Sequence, residues 1–158
     1  MLASWFDLKS GHDCPLCTPR PAVNEFTYFV GKLSVSSLYL ARNQTYRGTC
    51  AVVYDLKHAT RLSDLDRDAW LYFSDDIRHA ECAVTAAFRP DHINIEILGN
   101  TVPHLHAGII PRYQTDPRWG QPVWMTSRSD MPIQYASDTE CHSMVELLKN
   151  YLVQGSIA

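Results

Sequence analysis

The stretch HINIEILGNTVPHLHAGIIPRY, residues 92–113, decides the fold. In HINIEIL (92–98), Ile93, Ile95 and Ile97 alternate with polar neighbours, the period of a strand with one wet face. GNTVP is a turn, and HLHAGIIPRY (104–113) is a second strand that ends at Pro111. Residues i and i+2 of a strand share a face, with a rise of roughly 6.6–6.8 Å between them. His104 and His106 therefore look out on one wet side, and Leu105 and Ala107 face the other. Two imidazoles placed this way can bind a metal or an anion, or supply a nucleophile. The competing reading is two half-exposed polar residues.

Upstream, the pattern predicts a long helix. Asp66 is its N-cap, Trp70, Phe73, Ile77, Ala80, Val84 and Phe88 recur at three- and four-residue steps, and Pro90 ends the run. Before it come two strands, VSSLYLA (35–41) and TCAVVY (49–54), joined by the turn RNQTYRG. Residues 24–33, NEFTYFVGKL, place Phe26, Phe29, Val30 and Leu33 at helical spacing with Asn24 as a cap, which predicts a helix. Downstream, DPRWGQPVW (116–124) is an aromatic loop. Ser137 and Glu140 then form a capping box for a last helix carrying Met144, Leu147, Leu148 and Tyr151. The class is α+β: an antiparallel sheet with a long helix packed on it, plus a C-terminal helix.

A chain of 158 residues is one ordinary domain, so residues 1–158 are expected to form a single unit that folds without disulfides. The 14 basic and 17 acidic residues give a net charge of −3, with a pI near 6.1. That excludes duplex nucleic acid as a first guess and leaves small nucleotides open. The opening MLASWFDLKSGHD has no basic start, and no run of about 18 apolar residues is present. A cytoplasmic protein with reduced thiols and no membrane partner is the expectation. Of the five cysteines, Cys50, Cys82 and Cys141 read as packing residues. Cys14 and Cys17 form a C-x-x-C pair in a proline-rich segment, with the spacing of a zinc knuckle. A redox or purely structural role stays open for that pair, although a thiol-disulfide protein would want a βαβ context that is missing.

HINIEILGNTVPHLHAGIIPRY followed by DPRWGQPVW resembles the histidine-triad (HIT) superfamily of nucleotidyl hydrolases and transferases. The family signature is His-φ-His-φ-His-φ-φ, with φ apolar, often followed by Pro-Arg. Here it reads His104-Leu105-His106-Ala107-Gly108-Ile109-Ile110-Pro111-Arg112. The hairpin SSLYLARNQTYRGTCAVVYDLKHATRLSDL also looks like the family's core. The resemblance spans residues 14–124, leaving 125–158 as a C-terminal extension and helix.

The resemblance implies a homodimer that binds a nucleoside phosphate, a dinucleoside polyphosphate or phosphoramidate among the candidates. It makes His106 the nucleophile at the α-phosphorus, forming a covalent nucleotidyl-histidine. The third histidine, a donor to the α-phosphate, is replaced by Gly108. Asn100 and Thr101 are candidate phosphate donors, with a turn role as the alternative for Asn100. Asn43 is a candidate for the ribose, again with a turn role as its alternative. Arg112 would either pair with a carboxylate or approach a phosphate. Trp119 and Trp124 would wall the pocket or pack on a second copy. Zinc-carrying members imply a structural zinc on Cys14, Cys17, His58 and His104, with His12 as a substitute ligand; His79, His92 and His142 read as solvated. Because of Gly108, a degenerate member that binds nucleotides or a partner without catalysis is the rival reading.

Overall fold

The computed structural model describes residues 4–17, 19–116, 118–125 and 133–155; Pro117 of the aromatic loop lies outside the described residues. A short helix α1 (Trp5–Lys9) precedes three strands, β1 (Thr27–Lys32), β2 (Ser36–Ala41) and β3 (Cys50–Tyr54). The long helix α2 (Arg67–Phe88) follows, then β4 (His92–Glu96), β5 (His106–Arg112) and the last helix α3 (Asp138–Gly155). The strands form one antiparallel sheet in the order β1-β2-β3-β5-β4. The expected α+β class holds. No described helix is long and apolar enough to cross a membrane.

One element is corrected. Residues 24–33 are not a helix but contain β1, in which Tyr28 and Val30 are buried and Thr27 and Phe29 only half-buried. The segment carries both periods, and pairing with β2 selects period two. Asn24 does hold a chain end, but as an Asx turn: its Oδ1 accepts from the N–H groups of Phe26 and Thr27, both at 2.8 Å. The strand expected to end at Pro111 continues to Arg112. Its pairing with β3 stops at Ile109 opposite Cys50, so Pro111 has a neighbour only on the β4 side and its missing N–H costs no ladder bond on the other.

The core lies between one face of the sheet and helices α2 and α3. Leu38, Leu40, Val52, Tyr54, Ala107 and Ile109 meet Phe73, Ala80 and Val84 of α2 and Val145 and Leu148 of α3. Asp66 caps α2 by accepting from the Ala69 N–H at 2.8 Å, and Ser137 and Glu140 make the expected capping box. Helix α2 ends at Phe88 as the periodicity predicts, with Arg89 in the left-handed region as its cap just before Pro90. Gly48, at φ +91°, lies under the Phe88 ring, where a Cβ would sit 2.4 Å from a ring carbon. Cys50 and Cys141 are buried as expected, but Cys82 is exposed on the solvent side of α2.

One carboxylate breaks the apolar stripe of α2. Asp76 is 1% exposed, and its two oxygens accept from Ser34 N (2.9 Å), Ser34 Oγ (2.8 Å), Val35 N (2.9 Å) and Ser36 Oγ (2.6 Å). It ties the long helix to the β1–β2 turn. Asp76→Ala would strand these four donors, and we expect a loss of about 3–5 kcal/mol in urea unfolding. A variant within about 1 kcal/mol of the parent would show that this staple is dispensable.

Candidate functional site

Opposite the helices, the second face of the sheet carries a row that crosses all five strands. Register places Phe29 beside Tyr39, Tyr39 beside Ala51, Ala51 beside Gly108, and Gly108 beside Glu96. Directly paired residues share a face. The row thus runs from two aromatic rings, edge to face at 5.5 Å, over two residues with almost no side chain, to a carboxyl. His106 stands in the next row with Val53 and Ser37. The result is a trough floored by Ala51 and Gly108, with His106 along one side.

The candidate nucleophile is oriented by its own backbone. His106 Nδ1 lies 2.6 Å from the His104 carbonyl oxygen, which can only accept. In the neutral ring the proton is therefore on Nδ1 and the lone pair on Nε2. The ring is half-buried. That carbonyl is itself held in place: Leu105 N–H donates to Ala59 O at 2.6 Å, and Tyr54 N–H to Leu105 O at 3.1 Å. Strand β5 begins only at His106, so His104 occupies the bend before it.

His104 is not wet. It is 2% exposed, because the segment carrying Cys14 and Cys17 covers its side of the sheet. Its Nδ1 lies 3.5 Å from Cys14 Sγ and 3.7 Å from Cys17 Sγ, and Cys17 Sγ lies 3.5 Å from His58 Nδ1. All four ligand atoms fall within 4.8 Å of one another. Atoms at about 2.0–2.3 Å from a tetrahedral metal are roughly 3.3–3.8 Å apart, so this spacing fits a four-coordinate ion. The far ring nitrogens agree. His104 Nε2 donates to Tyr54 O at 2.8 Å and His58 Nε2 to Lys9 O at 3.1 Å, which leaves both Nδ1 atoms unprotonated toward the group. Burial lowers the His104 pKa and keeps the ring neutral, against the opposing bond to Tyr54. Burial and the neighbouring Cys14 push the Cys17 thiol up, a shift that a cation among the four residues reverses. His12 takes no part: it is exposed and faces Asp13 at 3.4 Å.

The segment is clamped at a second point. The Arg20 guanidinium bonds to Asp55 and to Tyr39 Oη (2.9 Å) and lies over the Tyr39 ring at 5.1 Å. Asp55 also accepts from Lys32 Nζ and Ser37 Oγ, both at 2.6 Å, and these cations and the hydroxyl hold its pKa below the ordinary value against burial. Pro19, Arg20, Ala22, Phe29, Lys32 and Tyr39 line a cavity of about 390 Å³ at the aromatic end of the row.

The other candidates fall as follows. Asn43 is a turn residue: its Oδ1 accepts from Thr45 N (3.0 Å) and Thr45 Oγ1 (2.7 Å). It lies at the Cys50 end of the β2–β3 hairpin, whereas His106 pairs at Val53, the other end. Arg112 takes the carboxylate role. It is 3% exposed, pairs with Asp116 at 2.8 Å and donates to Gln121 O at 2.8 Å, which folds the aromatic loop against the sheet. Trp119 and Trp124 of that loop are exposed, and Trp119 lines a cavity with His92, Asn94 and Arg112. Asn100 and Thr101 stay exposed on the bend after Gly99, whose φ is +67°. Sequence reading missed Glu96 and Tyr39, which no local motif marks; both come to the site through strand register.

The HIT domain family model matches residues 28–115. No curated protein matches. Among solved structures, a histidine triad protein from Bradyrhizobium japonicum superposes with a TM-score of 0.73 at 27% identity, over 81% of this chain and 92% of that one. One from Marinobacter aquaeolei gives 0.71 at 24% identity, over 81% and 90%. A zinc-bound histidine triad family protein from Mycobacterium smegmatis shares the fold at a TM-score of 0.57 and 17% identity, over 93% and 90%.

Proposed function

The chain belongs to the HIT domain family, and from that premise we propose that it binds a nucleoside phosphate and transfers or hydrolyses its nucleotidyl group through His106. One observation carries the reading: the His106 imidazole holds its proton on Nδ1 against the His104 carbonyl and keeps a free Nε2 beside the trough over Gly108. A nucleophile at phosphorus needs a nitrogen lone pair, access and fixed direction, and the neutral His106 ring offers all three. The flat floor of Ala51 and Gly108 leaves room for a phosphate, and the exposed Asn100 and Thr101 are the nearest donors in sequence. Tyr39 and Phe29 stand at the far end of the same row.

The metal in this reading is zinc, held by Cys14, Cys17, His58 and His104. Two thiols and two imidazoles are a zinc donor set, and a closed four-ligand sphere makes the role structural. The zinc-bound Mycobacterium smegmatis relative supports it. A homodimer goes with the reading as well. Strand β4 is a sheet edge, and Ile95, Ile97 and Leu98 on and after it are 43%, 39% and 53% exposed. Sedimentation should find two copies at micromolar concentration, with Ile95→Lys shifting the protein to one; a monomeric parent would remove the dimer.

The test of function is chemical. The protein is mixed with ³²P-labelled adenosine and guanosine 5′-phosphoramidates, quenched in base, and digested. A labelled peptide containing His106 is expected. Tight nucleotide binding with neither adduct nor turnover would leave the second reading, a silent binding module, which the loss of a side chain at Gly108 favours.

A further inference from the structure

We propose that Glu96 is the acid and base of the reaction at His106, acting from the neighbouring strand in the space that Gly108 leaves open. The inference rests on the nucleotidyl-histidine reading above.

Three observations carry it. The first is register. Glu96 is the direct partner of Gly108, so its side chain stands on the trough face, and it is the diagonal neighbour of His106. Diagonal positions are roughly 7–8 Å apart at the backbone, within reach of a long side chain. The second is room. Gly108 has no left-handed φ, and the nearest atoms a Cβ there would meet, Glu96 O at 3.7 Å and Ile110 carbons at 3.9 Å, are at ordinary contact distance. The backbone does not require glycine, so a side chain would fit there, and its absence leaves that volume beside Glu96 unfilled. The third is that the Glu96 carboxyl is half-buried yet makes no hydrogen bond or ion pair among the described residues. The groups that face it are Arg112 from β5 and Tyr46 from the β2–β3 loop. Arg112 is already spent on Asp116 and the loop carbonyls, so it does not neutralise Glu96. Burial raises the Glu96 pKa over the pull of Arg112.

The chemistry closes. In the first step, Nε2 of His106 bonds to the α-phosphorus. The bond from phosphorus to the leaving oxygen or nitrogen breaks, its electron pair stays on the leaving atom, and that atom takes the proton of the Glu96 carboxyl. In the second, a water oxygen bonds to phosphorus, and the phosphorus–Nε2 pair returns to His106. The proton of the water goes to the Glu96 carboxylate, which restores the acid.

The experiment compares Glu96→Gln with the parent on two substrates: the p-nitrophenyl ester of adenosine 5′-monophosphate, whose leaving group needs no proton, and adenosine 5′-phosphoramidate, whose leaving group does. Expected for the variant is a loss on the order of 10²–10³ in turnover of the phosphoramidate. On the ester it should give a burst of about one p-nitrophenol per site followed by a stall, with the His106 adduct accumulating. Gly108→His added to Glu96→Gln should recover about tenfold or more on the phosphoramidate by supplying a donor from the vacant position. A Glu96→Gln variant with parental phosphoramidate turnover and no burst overturns the inference alone. A parent that forms no adduct and turns over neither substrate overturns the nucleotidyl-histidine reading, and the inference with it.

Discussion

His106→Ala is expected to lower turnover of a nucleoside 5′-phosphoramidate by about 10⁴–10⁶-fold while leaving nucleotide affinity within about tenfold of the parent. The split follows from where the residue acts. His106 forms a bond only as the transition state is reached, so its removal takes away a pathway rather than a ground-state contact. The phosphate still finds the trough over Ala51 and Gly108. The measurement is a pair of numbers: kcat by product release and Kd by titration of a non-hydrolysable nucleotide. An alanine variant turning over at the parental rate would end the covalent mechanism. A variant that loses both rate and affinity by similar factors would instead make His106 a binding residue.

The second large effect is expected from the Cys14, Cys17, His58 and His104 group. Purified protein should carry about one zinc per chain, and Cys17→Ser or a strong chelator should remove it. Structural zinc sites contribute on the order of 10 kcal/mol in small peptides. Here the sheet core is independent of the site, so less is at stake: about 3 kcal/mol, seen as roughly 6–12 °C in Tm. The loss should be local. Hydrogen exchange should rise across residues 4–22 and 55–60, which carry three of the ligands and the Lys9 carbonyl, and change little in Val52, Phe73 and Leu148 of the core. Turnover should fall as well, because His104 is both a ligand candidate and the source of the carbonyl that orients His106. Metal-free protein of unchanged Tm, exchange and rate would remove the site.

Local signals were legible wherever the cause lies within a few residues. Asp66 and Ser137 read as helix starts because a cap is a bond to an N–H three residues on. The face shared by His106 and Gly108 followed from strand period alone. The reading of residues 24–33 as a helix failed for the same reason that the others succeeded. Phe26, Phe29, Val30 and Leu33 fit a helical stripe, but Tyr28 and Val30 fit a strand, and only β2 alongside chooses between them. Asn43 and Arg112 show a further limit. Residue type named the chemistry each could do, while the turn at Thr45 and the carboxylate of Asp116 decided what each does.

By itself, the sequence determined the α+β class, the Cys14–Cys17 pair and the face shared by His106 and Gly108, since these depend on spacing, residue type and strand period; His58 and His104 as further ligands and His106 as a nucleophile came from the family resemblance. Only the tertiary structure decided which distant residues meet. It seated Asp76 on Ser34, Val35 and Ser36, drew His104 out of solvent under the cysteine segment, and set Glu96 opposite Gly108. The physical reason is register. The alternation of Ile93, Ile95 and Ile97 already turns Glu96 to the wet face, but only pairing decides which β5 residue it meets: a slip of two residues would set it opposite His106 or Ile110 instead of Gly108.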